Sequence, residues 1–263
     1  MKLAVLGSGS RGNAIALATD GGTLLIDAGF GPRTLVRRAH DAGVALTRLH
    51  GIVVTHEHGD HARGAVPLAG ARGVPVVATA GTLGCLDPGA HGVSAWTLVP
   101  HEPLAIGPFE IMGSPTSHDA AEPVAVTVSG PHGLKVGVAC DLGRPTAAVR
   151  YLLRDCTALV VEANHDEVLL RTGPYPPVVR QRIAGSTGHL SNRAAAELIA
   201  ELHHPGLRVV VLAHLSERCN RPEMARAAVA AALARRGFDG ELFVAEQHRP
   251  VAVGELLGGR PAA

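Results

Sequence analysis

The stretch "VVTHEHGDHARG", residues 53–64, places four ligand-type side chains in six positions: His56, His58, Asp60 and His61. The apolar residues from Ile52 predict a buried strand over 52–55, and the polar residues that follow predict a loop at its end. Such a loop exposes its side chains at a sheet edge. Imidazoles with a carboxylate suit borderline metals such as zinc or manganese. Alternate residues of an extended segment point the same way, so His56 and His58 are expected to share one ion. Asp60 and His61 then face a second. A lone His-x-His is commonly surface polarity, but four ligand types at a strand end favour a metal site.

Upstream, "LAVLGSGSRGNA", residues 3–14, sets Gly7, Gly9 and Gly12 at the spacing of a dinucleotide-binding loop. That reading requires a helix of about a dozen residues after the glycines. Here "NAIALAT" ends at Thr19, and Asp20-Gly21-Gly22 leads into "TLLIDAG", which predicts a β-hairpin instead. The loop therefore reads as a strand-to-strand turn. Ser8 to Asn13, with Arg11, are expected either to hold a substrate phosphate or to form a turn that needs positive φ. Helices are predicted from Pro32 to before Gly43 and over 62–71, 79–86, 145–154, 191–202 and 222–236. Strands are predicted around 74–79, 97–99, 104–106, 109–112, 124–129, 134–140, 158–161, 207–215 and 241–245. The pattern is α/β, with no repeat and no linker dividing the chain, so residues 1–263 are expected to form one domain.

Net charge is +1, so no global field draws the chain to nucleic acid or membrane. Aromatics are 3%, so any strand binding must rest on phosphate contacts rather than base stacking. Cys85, Cys140, Cys156 and Cys219 form no C-x-x-C pair, which argues against a disulfide framework or a zinc knuckle. No run of about 18 apolar residues offers a membrane span, and the N-terminal apolar run is too short for a signal-peptide core. A cytoplasmic protein is expected. Trp96 is expected to pack in the interior, Cys140 to be a small buried strand residue, and Cys219 to be accessible in a loop.

"THEHGDH" resembles the signature of the metallo-β-lactamase superfamily, and the resemblance continues along the chain. "LLIDAG" carries Asp27, "TSHDAAEPVAVTV" His118, "VACDLG" Asp141 and "VVVLAHLSERCN" His214. "VVEANHDEVLL" and "GHLSNRAAAEL" are similar to segments of the ribonuclease Z and phosphonate-phosphodiesterase branches. The combination with "GSGSRGN" most resembles the YycJ/WalJ-type group, associated with 5′→3′ DNA exonuclease activity. Cys140 before Asp141, and Arg-Cys-Asn after the Ser-Glu of the last motif, are small departures at non-ligand positions.

The resemblance implies a four-layer αβ/βα sandwich of two mixed sheets with two divalent ions, zinc or manganese, in the cleft. One ion would take His56, His58 and His118. The other would take Asp60, His61 and His214, with Asp141 bridging and Asp27 supporting the metal loop. Such a pair about 4 Å apart activates water and neutralises a phosphate's developing charge. Asp60 would also orient the attacking oxygen. His189 would be the general acid, with Glu162 as its orienter. His165 would line the site, or else cap a helix or support the residues around it.

The expected activity is a metal-dependent phosphodiesterase acting on nucleic acid, DNA ends above all. The alternative is a hydrolase of a small substrate: a cyclic phosphodiester, lactone, thioester or β-lactam. Against the carbonyl substrates, the third motif reads "PTSHDAAEP" where those branches commonly show "TPGHT". A redox role is disfavoured because His58 stands where flavodiiron proteins usually carry glutamate. Asp141 and His214 are 73 positions apart (214 minus 141), too close for the inserted domain of β-CASP nucleases.

Overall fold

The computed structural model describes residues 1–256. The chain starts with β1 (Lys2–Gly7), β2 (Ala14–Thr19) and β3 (Gly22–Ile26), an antiparallel series joined by the glycine loop and the Asp20-Gly21 turn. After α1 (Pro32–Asp41), β4 (Leu49–Val53) lies parallel to β3. The expected helix over 62–71 is broken into α2 (Gly59–Ala62) and α3 (Ala65–Arg72). The break falls where Gly64 presses against backbone: a Cβ there would stand 2.0 Å from the Phe30 carbonyl oxygen. β5 (Val76–Ala78), α4 (Ala80–Leu86) and β6 (Ala95–Thr97) continue the parallel run.

The second sheet begins as an antiparallel meander: β7 (Leu104–Ile106), β8 (Phe109–Pro115), β9 (Val124–Ser129) and β10 (Lys135–Ala139). It then turns parallel through α5 (Ala147–Leu152), β11 (Ala158–Glu162), α6 (Glu167–Thr172), α7 (Pro177–Ala184), α8 (Asn192–Leu202), β12 (Val209–Ala213), α9 (Pro222–Ala234) and β13 (Glu241–Val244). The chain returns to the first sheet as β14 (Val251–Glu255), antiparallel to β1. The sheet orders are β14-β1-β2-β3-β4-β5-β6 and β13-β12-β11-β10-β9-β8-β7.

The two mixed seven-strand sheets pack face to face, and helices cover both outer faces. Period-2 alternation sorts the side chains. Leu3, Val5, Val160 and Val211 enter the core between the sheets. Ala4 and Leu6 pack outward with Leu35 of α1 and Leu68 of α3. Leu159, Val161, Val210 and Leu212 pack outward with α5, α8 and α9. Strands covered on both faces read as continuous apolar runs, which is why β11 and β12 lack a polar alternation. Ser191 caps α8 by accepting the Ala194 N–H, and Asp166 caps α6 through the N–H groups of Val168 and Leu169.

Three expectations fail on burial, the first at Cys140, which is half-buried one residue past β10. Trp96 is 41% exposed because β6 is the edge strand. Cys219 is buried, with its N–H held by Ser216 Oγ. Among the described residues, no helix is long and apolar enough to cross a membrane.

Candidate metal centre

The parallel strands β3, β4, β10, β11 and β12 end at one edge of the sandwich, and each delivers polar side chains there. Ligand sites of open α/β sheets form outside such carboxyl ends. Asp27 follows β3, Asp141 closely follows β10 and His214 follows β12. All three are left-handed, with φ of 59°, 55° and 54°. Asp and His tolerate this region better than most residues. The conformation turns each chain sharply as it leaves the sheet.

The segment after β4 carries His56 into the interior. His58 opens the single turn of α2, which holds Asp60 and His61. The turn is sewn to its neighbours by backbone: Ala28 N–H donates to His61 O at 2.6 Å, and Asn13 N–H donates to Asp60 O at 2.7 Å.

His61, Asp141, His56 and His214 are almost fully enclosed. Sets of nitrogen and oxygen atoms converge within 4.8 Å of one another. They are His56, His58 and His118; His56, His61 and Asp141; Asp60, His61 and His214; and Asp141, Glu162, His189 and His214. Asp141 Oδ2 stands 2.8 Å from His61 Nε2 and 3.8 Å from His56 Nε2.

The outer partners fix the rings. Asp27 Oδ2 takes the Nδ1–H of His61 at 2.7 Å. Thr55 Oγ1, itself donating to Asp27, lies 3.1 Å from His56 Nδ1. Gly188 O faces His118 Nδ1 at 3.3 Å. Glu162 Oε1 lies 2.6 Å from His189 Nδ1 and 3.2 Å from His214 Nδ1. With these Nδ1 atoms engaged, His56, His61, His118 and His214 present Nε2 to the centre, the tautomer that acceptors behind a histidine select, while His189 Nδ1 also lies 3.1 Å from Asp141 Oδ1. His58 is the exception, with Nδ1 turned to His118 Nε2 at 3.4 Å.

The imidazoles and carboxylates of the cluster shift one another strongly. Burial opposes charge on His61 and His189, but carboxylates outweigh it: Asp141 and Asp27 raise His61 to about 10, and Glu162 and Asp141 raise His189 to about 9. Burial likewise opposes ionisation of Asp60 and Glu162. His214 and His61 nevertheless hold Asp60 at about 2, and His189 and His214 hold Glu162 there. His56, desolvated and beside other imidazoles, is shifted well down.

The fit to cations rests on atoms left over. His56 Nε2 and Asp141 Oδ2 are buried and make no well-formed hydrogen bond, although nearly all such groups find one. Both point into the shared space. Histidines offering lone pairs around buried carboxylates form a donor set suited to divalent metal.

The glycine loop turns out to be a brace. Ser8 Oγ donates to Asn13 Oδ1 and accepts the His214 N–H, each at 2.8 Å. Asn13 Nδ2 lies 3.1 Å from His61 Nε2 and 3.5 Å from Asp60 Oδ2. The N–H groups of Ser8, Gly9, Arg11, Gly12 and Asn13 all have protein acceptors. Gly9 has φ of 147°, and Gly12 lies under the Phe30 ring. Arg11 pairs with Glu217 at 2.9 Å, its side chain 69% exposed. His165 is buried behind the centre, bridged by backbone to Ser191.

Thr55, Asn164 and Gln247 were not singled out from sequence. Asn164 Nδ2 donates to His214 O at 2.8 Å, and Gln247 joins Arg11 N–H to Gly12 O. For Thr55 and Asn164, adjacency to ligand motifs is the signal that could have found them. Nothing local marks Gln247.

A β-lactamase superfamily domain matches residues 23–215. The chain is 32% identical over 247 residues to exodeoxyribonuclease YycJ of Bacillus anthracis, covering 92% of this chain and 93% of the relative. The chain belongs to the metallo-β-lactamase superfamily. It is also 28% identical over 229 residues to exodeoxyribonuclease WalJ of Streptococcus pneumoniae, covering 85% of each. In three dimensions it resembles the metallo-β-lactamase fold protein YhfI of Bacillus subtilis, with a TM-score of 0.72 at 18% identity. That match covers 95% of this chain and 98% of the other.

Proposed function

We propose that the protein is a metal-dependent phosphodiesterase that degrades DNA from its ends. One observation carries the reading. Asp60 and His189 keep exposed side-chain edges, 25% and 21%, over a cluster whose other acidic members, Asp141 and Glu162, are sealed. A carboxylate and a proton donor thus both meet solvent over a cation-binding floor, in two ligand-type sets that share His214. That arrangement suits attack on one side of a phosphate and departure on the other. Two long-matching relatives named exodeoxyribonucleases support the same reading.

His56 Nε2, His58 Nδ1 and His118 Nε2 would hold one divalent ion, and Asp60, His61 Nε2 and His214 Nε2 a second, with Asp141 shared. Zinc and manganese both suit these donors. Such a pair supplies an activated water and offsets charge on the phosphate. Asp60 aligns the attacking oxygen. His189, fixed through Nδ1 by Glu162, gives its Nε2 proton to the departing sugar oxygen. Ser8 and Asn13 brace His214 and the Asp60 turn, and Arg11, exposed together with Ser10, reaches solvent where a strand would pass. The unpaired thiols fit a reducing cytoplasm.

The test is a panel on metal-defined protein: end-labelled single- and double-stranded DNA, RNA, bis(p-nitrophenyl) phosphate and a chromogenic β-lactam. DNA shortened from its ends is expected. Turnover of the lactam alone overturns the proposal. His189→Ala is expected to lower kcat on DNA by about 10²–10⁴-fold, and far less on the aryl ester, whose leaving group needs little protonation.

A further inference from the structure

Next to the centre, α6 and α7 enclose a pocket of about 360 Å³ lined by His165, Glu167, Leu170, Arg171, Arg180 and Ala184. His165 forms part of its wall. It is 3% exposed, and its Nδ1 is sealed from solvent without a hydrogen-bond partner. Among the described residues, its Nε2 has no protein partner either. A buried imidazole left unmatched is costly in a finished fold, and with Nδ1 sealed, Nε2 is the ring nitrogen left to meet whatever enters.

The unpaired charges around it are positive. Among the described residues, Arg171 and Arg180 make no ion pair. Arg180 Nη1 donates to the Arg171 carbonyl, which anchors it without neutralising it. The one carboxylate, Glu167, is already engaged by Arg193 at 3.0 Å and by Ser191 Oγ at 3.0 Å. Leu170 supplies an apolar floor. The pocket is tied to the reaction centre by short stretches of chain. Asn164, which holds His214, precedes His165, and α7 leads through Gly188 to His189.

We propose that this pocket is a phosphate-binding subsite, holding a phosphate of the nucleic acid other than the one being cleaved. The proposal rests on the phosphodiesterase reading above. Two guanidinium forks match phosphate oxygens in geometry and charge, and the His165 N–H adds a third donor from behind. The phosphate can be the strand's terminal monoester or an internal diester. Occupying the subsite fixes how far the strand end extends past the metal centre.

Arg171→Gln, Arg180→Gln and Arg180→Lys holoenzymes are compared with wild type on 5′-phosphorylated DNA, 5′-hydroxyl DNA and bis(p-nitrophenyl) phosphate, which contains only the scissile phosphate. Each glutamine variant is expected to raise KM for DNA about tenfold with kcat within about twofold. Each is also expected to flatten the slope of log(kcat/KM) against log salt by about one, and Arg180→Lys to recover most of the loss. An effect confined to 5′-phosphorylated DNA identifies the terminal monoester; an equal effect on both DNAs identifies an internal diester. Unchanged KM for DNA, or the same fold-loss on DNA and the aryl ester, overturns the subsite. A wild-type enzyme that fails to cut DNA overturns the nuclease reading instead.

Discussion

Gly29→Ala should damage the metal centre without touching a ligand. Gly29 lies where three segments meet: its N–H donates to Asn13 O, Asn13 N–H donates to Asp60 O, and Ala28 N–H donates to His61 O. A Cβ at Gly29 would stand 1.7 Å from the Asp60 carbonyl oxygen and 2.7 Å from the Asn13 nitrogen. Real Cβ contacts do not fall below 3.0 Å, so the Asp60 backbone must retreat by about 1.3 Å. The obstacle is backbone, so no rotamer change relieves it. Overpacking of this kind costs about 1–3 kcal/mol, or roughly 2–6 °C in Tm for a chain of this size. The larger effect falls on the ions, because the shift carries Asp60 and His61 with it. Metal affinity should drop about 10–100-fold, the range for disturbed ligand support. Competition titration with a chromophoric chelator measures that, and thermal melting measures the rest. Gly59→Ala is the control: it stands between His58 and Asp60, yet a Cβ there meets nothing within 4 Å. A Gly29→Ala protein with wild-type affinity and Tm, or a Gly59→Ala protein equally impaired, would refute the reasoning.

Asp27→Asn should lower metal affinity about 10–100-fold with a smaller effect on folding, because the amide cannot accept from Thr55 and His61 as the carboxylate does; chelator competition checks it. Arg38→Met should cost about 2–4 kcal/mol in urea unfolding, since the buried guanidinium donates to Leu6 O, Gln247 O and His248 O and stacks on Phe30 at 4.2 Å. In the native protein Cys85 should be alkylated quickly, whereas Cys156, buried and pushed up to about 12, should react only after denaturation; mass spectrometry of pulse-labelled protein decides. In metal-stripped protein, His61 and His189 have raised pKa values, so their stabilisation is complete below pH about 6.5 and is lost as pH rises through about 9–10. The depressed Asp60 and Glu162 add stability above pH about 4.5 that is lost as pH falls towards 2. Ions that replace those protons should abolish the alkaline loss, and identical alkaline melting curves with and without metal would contradict this.

The residues that converge at the candidate centre were legible because their chemistry is carried by residue type and spacing in short segments. The hairpin after Gly12 was legible for a similar reason: Asp20-Gly21-Gly22 is a local turn signal. What the sequence hid depends on partners far along the chain. β14 is a short run whose pairing with β1 spans nearly the whole protein. α6 and α7 bury little, so no apolar period announced them. The glycine loop was ambiguous because three of its amides find Glu246 O, Gln247 Oε1 and Asp60 O, none of them local. Trp96 read as core because residue type cannot tell an edge strand from a central one.

The left-handed turns at Asp27, Asp141 and His214 set the ease of folding against the chemistry. Each conformation costs about 1–3 kcal/mol in a residue with a side chain, and glycine adopts it at no steric cost. Glycine at these three points would relieve strain while erasing the centre. Inactivating changes here should therefore leave a well-folded, abundant, silent protein rather than an unstable one. Among natural variants, loss of activity at these strand ends is to be sought by assaying turnover, because expression level alone will not reveal it.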